Sequence, residues 1–288
     1  MKILILGHKG MLGSDLMLRL SSAHDVTGKD VGDIDIGVEE DCGRVIAECS
    51  PDVVINAAAY TNVDGCETDR GRCFTVNAAG VKNVALACRG KGIRIVHFST
   101  DYIFDGRKET PYVEEDEPAP LNAYGASKLE GESFLQTLSD RWLLLRTAWL
   151  YGEHGNNFVK TILDKAATVK NLDVVNDQIG CPTYTRDLAA AVKLLVEGGH
   201  EGLFHLTNRG SCSWYEFACK ILQYAGINDV AVRPILTVGL TRPAVRPAWS
   251  VLSSRKFSTA TGKTMRFWQI ALQDYLERRG LREQQVVE

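Results

Sequence analysis

The chain has 288 residues and a formal net charge of −3 at pH 7. This length can bury a large core and predicts one large domain with a smaller lobe. The small net charge gives no electrostatic reason to expect nucleic-acid binding, and no apolar stretch approaches the ~18 residues that a membrane span requires. The eight cysteines contain no C-x-x-C pair. We therefore expect reduced thiols in the cytoplasm rather than a zinc site or a disulfide framework.

The chain opens with a strand and a glycine-rich turn. "KILILG" predicts a parallel strand that is buried on both faces, and "SDLMLRL" after the turn has helical periodicity. This strand–turn–helix order is the context of a dinucleotide fingerprint, although G-x-x-G-x-x-G is one residue wider than the usual spacing. Such a turn brings backbone N–H groups close to a pyrophosphate. The predicted contacts are Gly7, Gly10, Met11, Leu12 and Gly13.

The second strand, "HDVTGKD", ends in Asp30, where this fold places an acidic residue for the ribose 2′-hydroxyl. Asp30 therefore favours NADH. Lys9 and Lys29 favour NADPH, because either could reach a 2′-phosphate. The preference between the two cofactors stays open. In "DIDI", Asp35 and Ile36 suit the adenine amino group and ring, with an ordinary polar loop as the alternative.

Strands and helices alternate through the first half of the chain. We predict further strands at 52–60, 93–100 and 142–152, with helices at about 68–91 and 124–138. Repeated β-α units with short connections indicate an α/β fold with a Rossmann-type, doubly wound parallel sheet. Ligands of such sheets bind beyond the carboxyl ends of the strands, where the glycine turn, Ala57–Thr61, Ser99–Asp101 and Trp149 would meet.

The second half has a looser pattern, which indicates a smaller C-terminal α/β lobe for the substrate. We therefore divide the chain into a dinucleotide-binding domain at 1–150 and a mainly substrate-binding lobe at 151–288. Some segments of the second part are expected to return to the first.

Tyr124 and Lys128 stand four residues apart in "LNAYGASKLEGE". In a helix this spacing puts both side chains on one face. A cation beside a phenol stabilises the phenolate and lowers its pKa, so the phenol can exchange a proton in catalysis. The same spacing also arises by chance on surface helices. The glycine turn and the upstream strand ending in "HFSTDYIFDG" favour the catalytic interpretation.

These motifs together resemble the extended short-chain dehydrogenases/reductases, through the glycine turn, "NAAA" at 56–59, Asn77 and the Tyr124–Lys128 pair. More narrowly, "STDYIFDG", "YGASKLEGE", "LRTAWLYG", "NNFVKTIL" and "NDQIGCPT" are similar to the dTDP-4-dehydrorhamnose reductases. The resemblance runs from Lys2 to about Arg279. It implies reduction of dTDP-4-dehydro-β-L-rhamnose to dTDP-β-L-rhamnose by NADPH or NADH, the last step in making this sugar nucleotide for cell-wall polysaccharide.

The resemblance also implies roles for individual residues. Tyr124 would protonate the C4 oxygen as hydride arrives, and Lys128 would lower the phenol pKa and hydrogen-bond the nicotinamide ribose. The Thr100 hydroxyl would donate to the same oxygen, because strand alternation turns the adjacent Ser99 to the other face. The remaining cofactor contacts would be Ala57, Ala58, Ala59, Tyr60 and Thr61, with Tyr124 and Lys128.

Thr100, Asp101 and Trp149 are the expected substrate contacts. A carboxylate can accept hydrogen bonds from hexose hydroxyls, and an indole face can cover the apolar side of a pyranose. Core packing is the alternative for Trp149. A proline-rich loop carries Arg242, Arg246 and Arg255, which could hold a diphosphate or lie in a solvated connection.

We predict no tight metal site, because no His/Asp/Glu cluster has suitable spacing. Some relatives use magnesium between subunits, and Asp15 is the one candidate ligand here; a homodimer is left open. His97 lies inside an apolar strand, and we interpret it as a core histidine rather than a base.

Two other functions remain open on the same scaffold. An epimerase or dehydratase would keep the tyrosine, but dehydratases commonly carry an Asp-Glu pair after the threonine, and here Asp101 is followed by Tyr102. A non-catalytic regulatory subunit would keep the fold alone. The intact set of Thr100, Tyr124 and Lys128 argues against it.

Overall fold

A computed structural model describes residues 1–281; residues 282–288, the end of the predicted substrate lobe, lie outside the described part. The centre is a six-stranded parallel sheet made of β1 (Lys2–Leu6), β2 (Asp25–Lys29), β3 (Val53–Asn56), β4 (Arg94–Thr100), β5 (Trp142–Thr147) and β10 (Gly202–His205). The strands lie in the order β10-β5-β4-β3-β1-β2. Every residue of β3 and β4 is buried, as both faces of the sheet are covered.

Helices cover both faces of this sheet. They are α1 (Met11–Leu20), α2 (Glu39–Cys49), α3 (Val63–Thr68), α4 (Arg70–Phe74), α5 (Gly80–Cys88), α6 (Ala123–Leu138) and α8 (Thr185–Glu197). α2, α5 and α6 pack side by side on one face, and α1 packs against α8 on the other. The predicted doubly wound α/β architecture is therefore confirmed.

The predicted helix at 68–91 is present as a continuous helical run over residues 70–88, but a π-helical turn at Thr75–Ala79 lies between α4 and α5. The turn directs Asn77 inward, where its Oδ1 accepts from the Tyr60 N–H at 2.8 Å and its Nδ2 donates to Ser127 Oγ at 3.1 Å. α6 can approach this turn closely because residue 131 is a glycine. A Cβ at Gly131 would lie 2.3 Å from the Asn77 carbonyl oxygen. π-Turns of this kind occur frequently at functional sites.

The predicted single strand at 142–152 is wrong. β5 ends at Thr147, and Trp149 adopts φ +47°, which is unusual for a bulky residue. The chain then continues as β6 (Leu150–Tyr151), which pairs with β9 (Thr183–Tyr184) in another sheet. Trp149 therefore marks the point where the chain leaves the central sheet.

The rest of the chain forms a smaller α/β unit with its own core around Tyr151, Tyr184 and Phe217. Its remaining elements are α7 (Phe158–Ala166), β7 (Asn171–Val175), β8 (Ile179–Gly180), β11 (Cys212–Ser213), α9 (Trp214–Tyr224), β12 (Ala231–Ile235) and α11 (Trp268–Arg278). α8, β10 and α10 (Arg255–Thr261) instead share a core with β1 and α1. These three segments of the second half thus pack with the central sheet.

All eight cysteines are free thiols. Among residues 1–281, no helix combines the length and apolar character needed to cross a membrane.

Candidate active site

The helix that carries Tyr124 and Lys128, α6, begins where it touches the end of β4. The Asn122 side chain caps the helix by accepting from the Gly125 N–H at 2.8 Å, as Asn commonly does at this position. A Cβ at Gly125 would lie only 2.1 Å from the Tyr102 carbonyl oxygen. Glycine therefore lets the first turn of α6 pack directly on the turn that follows β4, which carries Tyr124 to Thr100.

The Tyr124 phenol lies beside the Thr100 hydroxyl. Burial raises the pKa of Tyr124 above its ordinary value, and the hydrogen bond with Thr100 opposes that rise. The Tyr102 ring meets the Tyr124 ring edge-on, with centroids 5.9 Å apart. The Ser99 hydroxyl is buried and has no hydrogen-bond partner in the described residues. The structure thus brings Thr100, and not Ser99, to the phenol.

Lys128 is also buried, one helical turn from Tyr124, and its Nζ lies 3.2 Å from Nε2 of His97 on β4. Burial lowers the pKa of Lys128 to about 8, while the Glu132 carboxylate opposes the effect. The expected lowering of the Tyr124 pKa by Lys128 is not seen. The physical reason is that burial dominates at the phenol, whereas the ammonium is turned toward His97.

Asp101 is fully enclosed next to this pair. Its Oδ1 accepts from the Thr100 hydroxyl at 3.0 Å. Burial raises the pKa of Asp101 to about 7, and hydrogen bonds from Ser250 and Thr100 oppose the rise. A carboxyl group in this position can titrate near neutral pH, unlike an exposed aspartate.

The Trp149 indole stacks on Trp214, with ring centroids 3.5 Å apart and an interplanar angle of 5°. A Cβ at Gly180 would lie 2.3 Å from the Trp149 ring, so this glycine admits the indole. One face of Trp149 is therefore covered by protein, and only the remaining surface of the ring can meet a sugar. Sequence reasoning missed Trp214, since no local spacing links it to Trp149.

A cleft of about 800 Å³ opens at the carboxyl ends of β1, β2 and β3. Gly7 has φ +80°, and a Cβ there would lie 2.8 Å from the Ala58 nitrogen; a Cβ at Gly13 would lie 2.1 Å from the Gly7 carbonyl oxygen. No side chain caps the N-terminus of α1. Its first-turn N–H groups can therefore bind an anion such as a pyrophosphate.

Most of the predicted cofactor contacts line this cleft. They are Gly7, Gly10, Asp30, Asp35, Ile36, Ala57, Ala58, Ala59 and Tyr60. The Asp30 carboxylate is held in place by the backbone N–H groups of Lys9 and Val31, at 2.8 and 2.9 Å. Arg44 and Arg72 also line the cleft, and sequence reasoning had missed both.

The other predicted cofactor contacts lie outside the lining of the cleft. Leu12 and Gly13 are buried, so that only their backbone could reach a cofactor, whereas Met11 is half-buried and Thr61 is exposed. Tyr124 and Lys128 lie farther along, at the carboxyl end of β4. Tyr60 links the two regions, because it lines the cleft and packs in the same apolar cluster as Tyr124.

Asp15 does not fit the role of an intersubunit magnesium ligand. Its side chain is buried between α1 and α8, and its Oδ2 accepts from the Thr185 hydroxyl at 2.5 Å. Residues 1–281 hold no group of three or more His, Cys, Asp or Glu side chains that could bind a metal ion.

The arginine-bearing loop crosses from the second half of the chain to the catalytic region. Arg246 forms two hydrogen bonds of 2.8 Å with the Asp64 carboxylate and contacts the Tyr102 hydroxyl. Arg242 and Arg255 are exposed. Arg246 therefore lies at the site, already paired with a protein carboxylate.

Comparisons with known proteins identify the family of the chain. The family model described as "RmlD substrate binding domain" matches residues 1–280. The crystal structure of a dTDP-4-dehydrorhamnose reductase from Clostridium acetobutylicum is similar, with 43% identity and a TM-score of 0.95, covering 97% of this chain and 100% of that one.

A dTDP-4-dehydrorhamnose reductase from Bacillus anthracis, solved in complex with NADP, has 37% identity and a TM-score of 0.93, covering 96% and 99% of the two chains. A dTDP-4-keto-6-deoxy-D-glucose reductase of Streptomyces niveus is 36% identical, covering 93% and 94%. The chain thus belongs to the dTDP-4-dehydrorhamnose reductase family within the extended short-chain dehydrogenases/reductases.

Proposed function

We propose that this protein is an oxidoreductase that reduces the C4 ketone of dTDP-4-dehydro-β-L-rhamnose to give dTDP-β-L-rhamnose. The observation that carries the proposal is the meeting of Thr100, Tyr124 and Lys128 at the carboxyl ends of two neighbouring strands, next to a nucleotide-sized cleft. The family to which the chain belongs supports the same reaction.

In this proposal the bound nicotinamide supplies the hydride, and the residues of the chain handle the proton. The buried Tyr124 phenol keeps its proton at neutral pH and gives it to the C4 oxygen as negative charge develops there. The Thr100 hydroxyl donates to Asp101 in the structure, so it must turn toward the substrate oxygen before it can donate to it. Lys128 keeps one N–H on His97, and its remaining N–H groups are the proposed donors to the phenolate that is left.

The sugar is proposed to lie between Asp101 and the free surface of Trp149. Asp101 can accept from a hexose hydroxyl, and the stack on Trp214 holds the indole in one orientation. Arg246 is the candidate for the diphosphate of the sugar nucleotide, because its planar fork can exchange one pair of oxygens for another.

The cofactor is proposed to be NADH or NADPH, with its pyrophosphate at the start of α1. Asp30 supports NADH, since its fixed carboxylate can accept from a free 2′-hydroxyl and would repel a 2′-phosphate. The NADP bound by the Bacillus anthracis relative favours NADPH, so both cofactors are to be tested. The free thiols suit a reducing compartment, and we place the reaction in the cytoplasm.

The alternative substrate is a related 4-keto-6-deoxy sugar nucleotide, and the similarity to the Streptomyces niveus reductase favours it. Reduction of either sugar nucleotide requires the same hydrogen bond from Thr100 and the same proton transfer from Tyr124. They differ only in the sugar hydroxyls that Asp101 and its neighbours would contact.

A single assay tests the proposal and its alternatives. Oxidation of NADH and of NADPH is followed with dTDP-4-dehydro-β-L-rhamnose and, separately, with dTDP-4-keto-6-deoxy-D-glucose, and the product is identified by NMR. We expect stoichiometric oxidation only when a keto sugar is present, with a higher kcat/KM for the rhamnose precursor. Interconversion without net oxidation would indicate an epimerase, and binding without turnover would indicate a regulatory subunit.

A further inference from the structure

The histidine that the sequence suggested was core packing is in contact with the catalytic lysine. His97 lies in the middle of the central sheet on β4, and Lys128 lies on α6 above it. Their side chains are 0% and 2% exposed, and Nε2 of His97 is 3.2 Å from Nζ of Lys128. Nε2 is the hydrogen-bond partner of this ammonium among the described residues.

The carboxylate that acts electrostatically on Lys128, that of Glu132, does not satisfy the hydrogen-bonding need of the ammonium. Glu132, one turn along α6, is already engaged by Arg146, with contacts of 2.7 Å to Nη2 and 3.0 Å to Nε. A buried ammonium without an acceptor is costly, since it has lost its hydration. The imidazole is therefore the group that satisfies it.

We propose that His97 is a positioning residue for Lys128, accepting one ammonium N–H through an unprotonated Nε2 and so directing the other two N–H groups toward Tyr124 and the cofactor ribose. This inference rests on the proposed ketoreductase function. A lysine ammonium can only donate, so the imidazole proton must lie on Nδ1.

Burial and the neighbouring Lys128 keep the pKa of His97 well below its usual value, so the acceptor stays neutral through the working pH range. Lys128 is the group that titrates. The groups that face it are His97 on β4, Cys73 on α4 and Glu132 on its own helix. Loss of the acceptor would disfavour the charged amine and lower the pKa of Lys128 further below about 8.

Two substitutions at His97 separate positioning from packing. His97→Gln keeps an acceptor near the place of Nε2, whereas His97→Leu fills the space without one. We expect the leucine variant to lose about fivefold in kcat/KM at pH 8 and to recover toward the wild-type value at pH 6, because lowering the Lys128 pKa by one unit from about 8 cuts the charged fraction at pH 8 from about one half to about one tenth. The glutamine variant should follow the wild-type profile.

His205→Gln is the matched control, because His205 is equally buried on β10 and contacts Arg146 rather than Lys128. The inference would be overturned if His97→Leu lost the same fraction of kcat/KM at every pH, or if His97→Gln showed the same loss as His97→Leu. A wild-type protein that reduces no keto sugar would instead count against the proposed function.

A second measurement needs no turnover. In ¹⁵N-histidine-labelled protein, His97 should show an unprotonated Nε2 whose resonance shifts in a Lys128→Met variant, while His205 stays unchanged. A protonated Nε2 at His97, or a resonance indifferent to Lys128, would contradict the assignment.

Discussion

At the scale of single residues, Tyr124 is the proposed proton donor, and the surroundings of its phenol make the role testable. The phenol contacts Thr100 and lies outside the lining of the nucleotide cleft. Tyr124→Phe removes the hydroxyl and keeps the ring that packs against Tyr102. We expect kcat to fall about 10²-fold or more. Steady-state kinetics measure the loss, and cofactor affinity from fluorescence titration should stay within a factor of two or so. Turnover close to that of the wild type would refute the role.

Asp101→Asn is expected to reduce the loss of stability at high pH and, at the same time, to weaken binding of the sugar nucleotide. Burial raises its pKa to about 7 from the ordinary 3.8, so the folded protein binds this proton more tightly than the unfolded chain. The corresponding stability is present at low pH and is lost as pH rises through 7.

Asn at this position cannot titrate. We expect the wild type to lose roughly 2–3 kcal/mol more than Asp101→Asn between pH 5 and pH 8, measured by denaturant unfolding at both pH values. KM for the sugar nucleotide should rise in the same variant if the carboxylate holds a hydroxyl. Parallel stability curves would show that Asp101 is ionised throughout.

Some of this site could be predicted from the sequence, for a physical reason. Tyr124 and Lys128 share a helix face, and Thr100 and Ser99 alternate on a strand, so local periodicity alone specifies their directions. The contacts of Lys128 with His97 and of Trp149 with Trp214 join distant segments. No periodic pattern encodes such contacts, and the sequence alone does not show which distant segments pack closely together.

At the scale of elements, the glycine turn before α1 is the feature to test. Gly13 has no room for a side chain, whereas a Cβ at Gly10 would lie 3.2 Å from the Gly7 carbonyl oxygen at an ordinary φ of −69°. Gly10→Ala should therefore fold, yet it places a methyl group where a pyrophosphate would lie. We expect roughly tenfold weaker binding of both NADH and NADPH, about 1.4 kcal/mol, by fluorescence titration.

Gly43→Ala is the control, because a Cβ there meets nothing within 4 Å. Asp30→Ala supplies the contrasting case, in which the binding of NADH should weaken much more than the binding of NADPH. Unchanged cofactor affinity in Gly10→Ala would show that the pyrophosphate binds elsewhere. If Asp30→Ala weakened NADH and NADPH binding equally, Asp30 would not contact the ribose 2′-hydroxyl.

The elements themselves were predictable where apolar runs and helical periods are uninterrupted, as in β1, β4 and α6. The π-helical turn at Thr75–Ala79 and the break in the chain after β5 were not predictable. The π-turn lies where α6 approaches Asn77 at Gly131, and the break after β5 lies where Gly180 leaves room for the Trp149 ring. Each involves a glycine far along the chain, so neither follows from the segment in which it occurs.

At the scale of the whole molecule, the Arg246–Asp64 pair joins the second half of the chain to α3 of the first. Arg246 is 10% exposed and Asp64 is 37% exposed, so the pair is only partly shielded from solvent. We expect Arg246→Ala to cost about 1 kcal/mol, which would lower Tm by roughly 2–4 °C, measured by calorimetry.

If Arg246 also binds the diphosphate, the same variant should raise KM for the sugar nucleotide by more than tenfold and leave cofactor affinity unchanged. Arg233→Ala serves as the control, since it breaks an exposed pair with Asp173 far from the site. A fall in Tm with an unaltered KM would limit Arg246 to joining the two halves.

The order of strands in the central sheet has a consequence for biosynthesis on the ribosome. β10, at one edge, is made after most of the chain, and it pairs with β5 while α8 covers α1. A nascent chain that has reached only residue 150 therefore presents an unpaired strand edge and an uncovered apolar helix. Such surfaces invite association with other chains, so this intermediate should associate more readily than a chain that has grown beyond His205 and can complete the sheet.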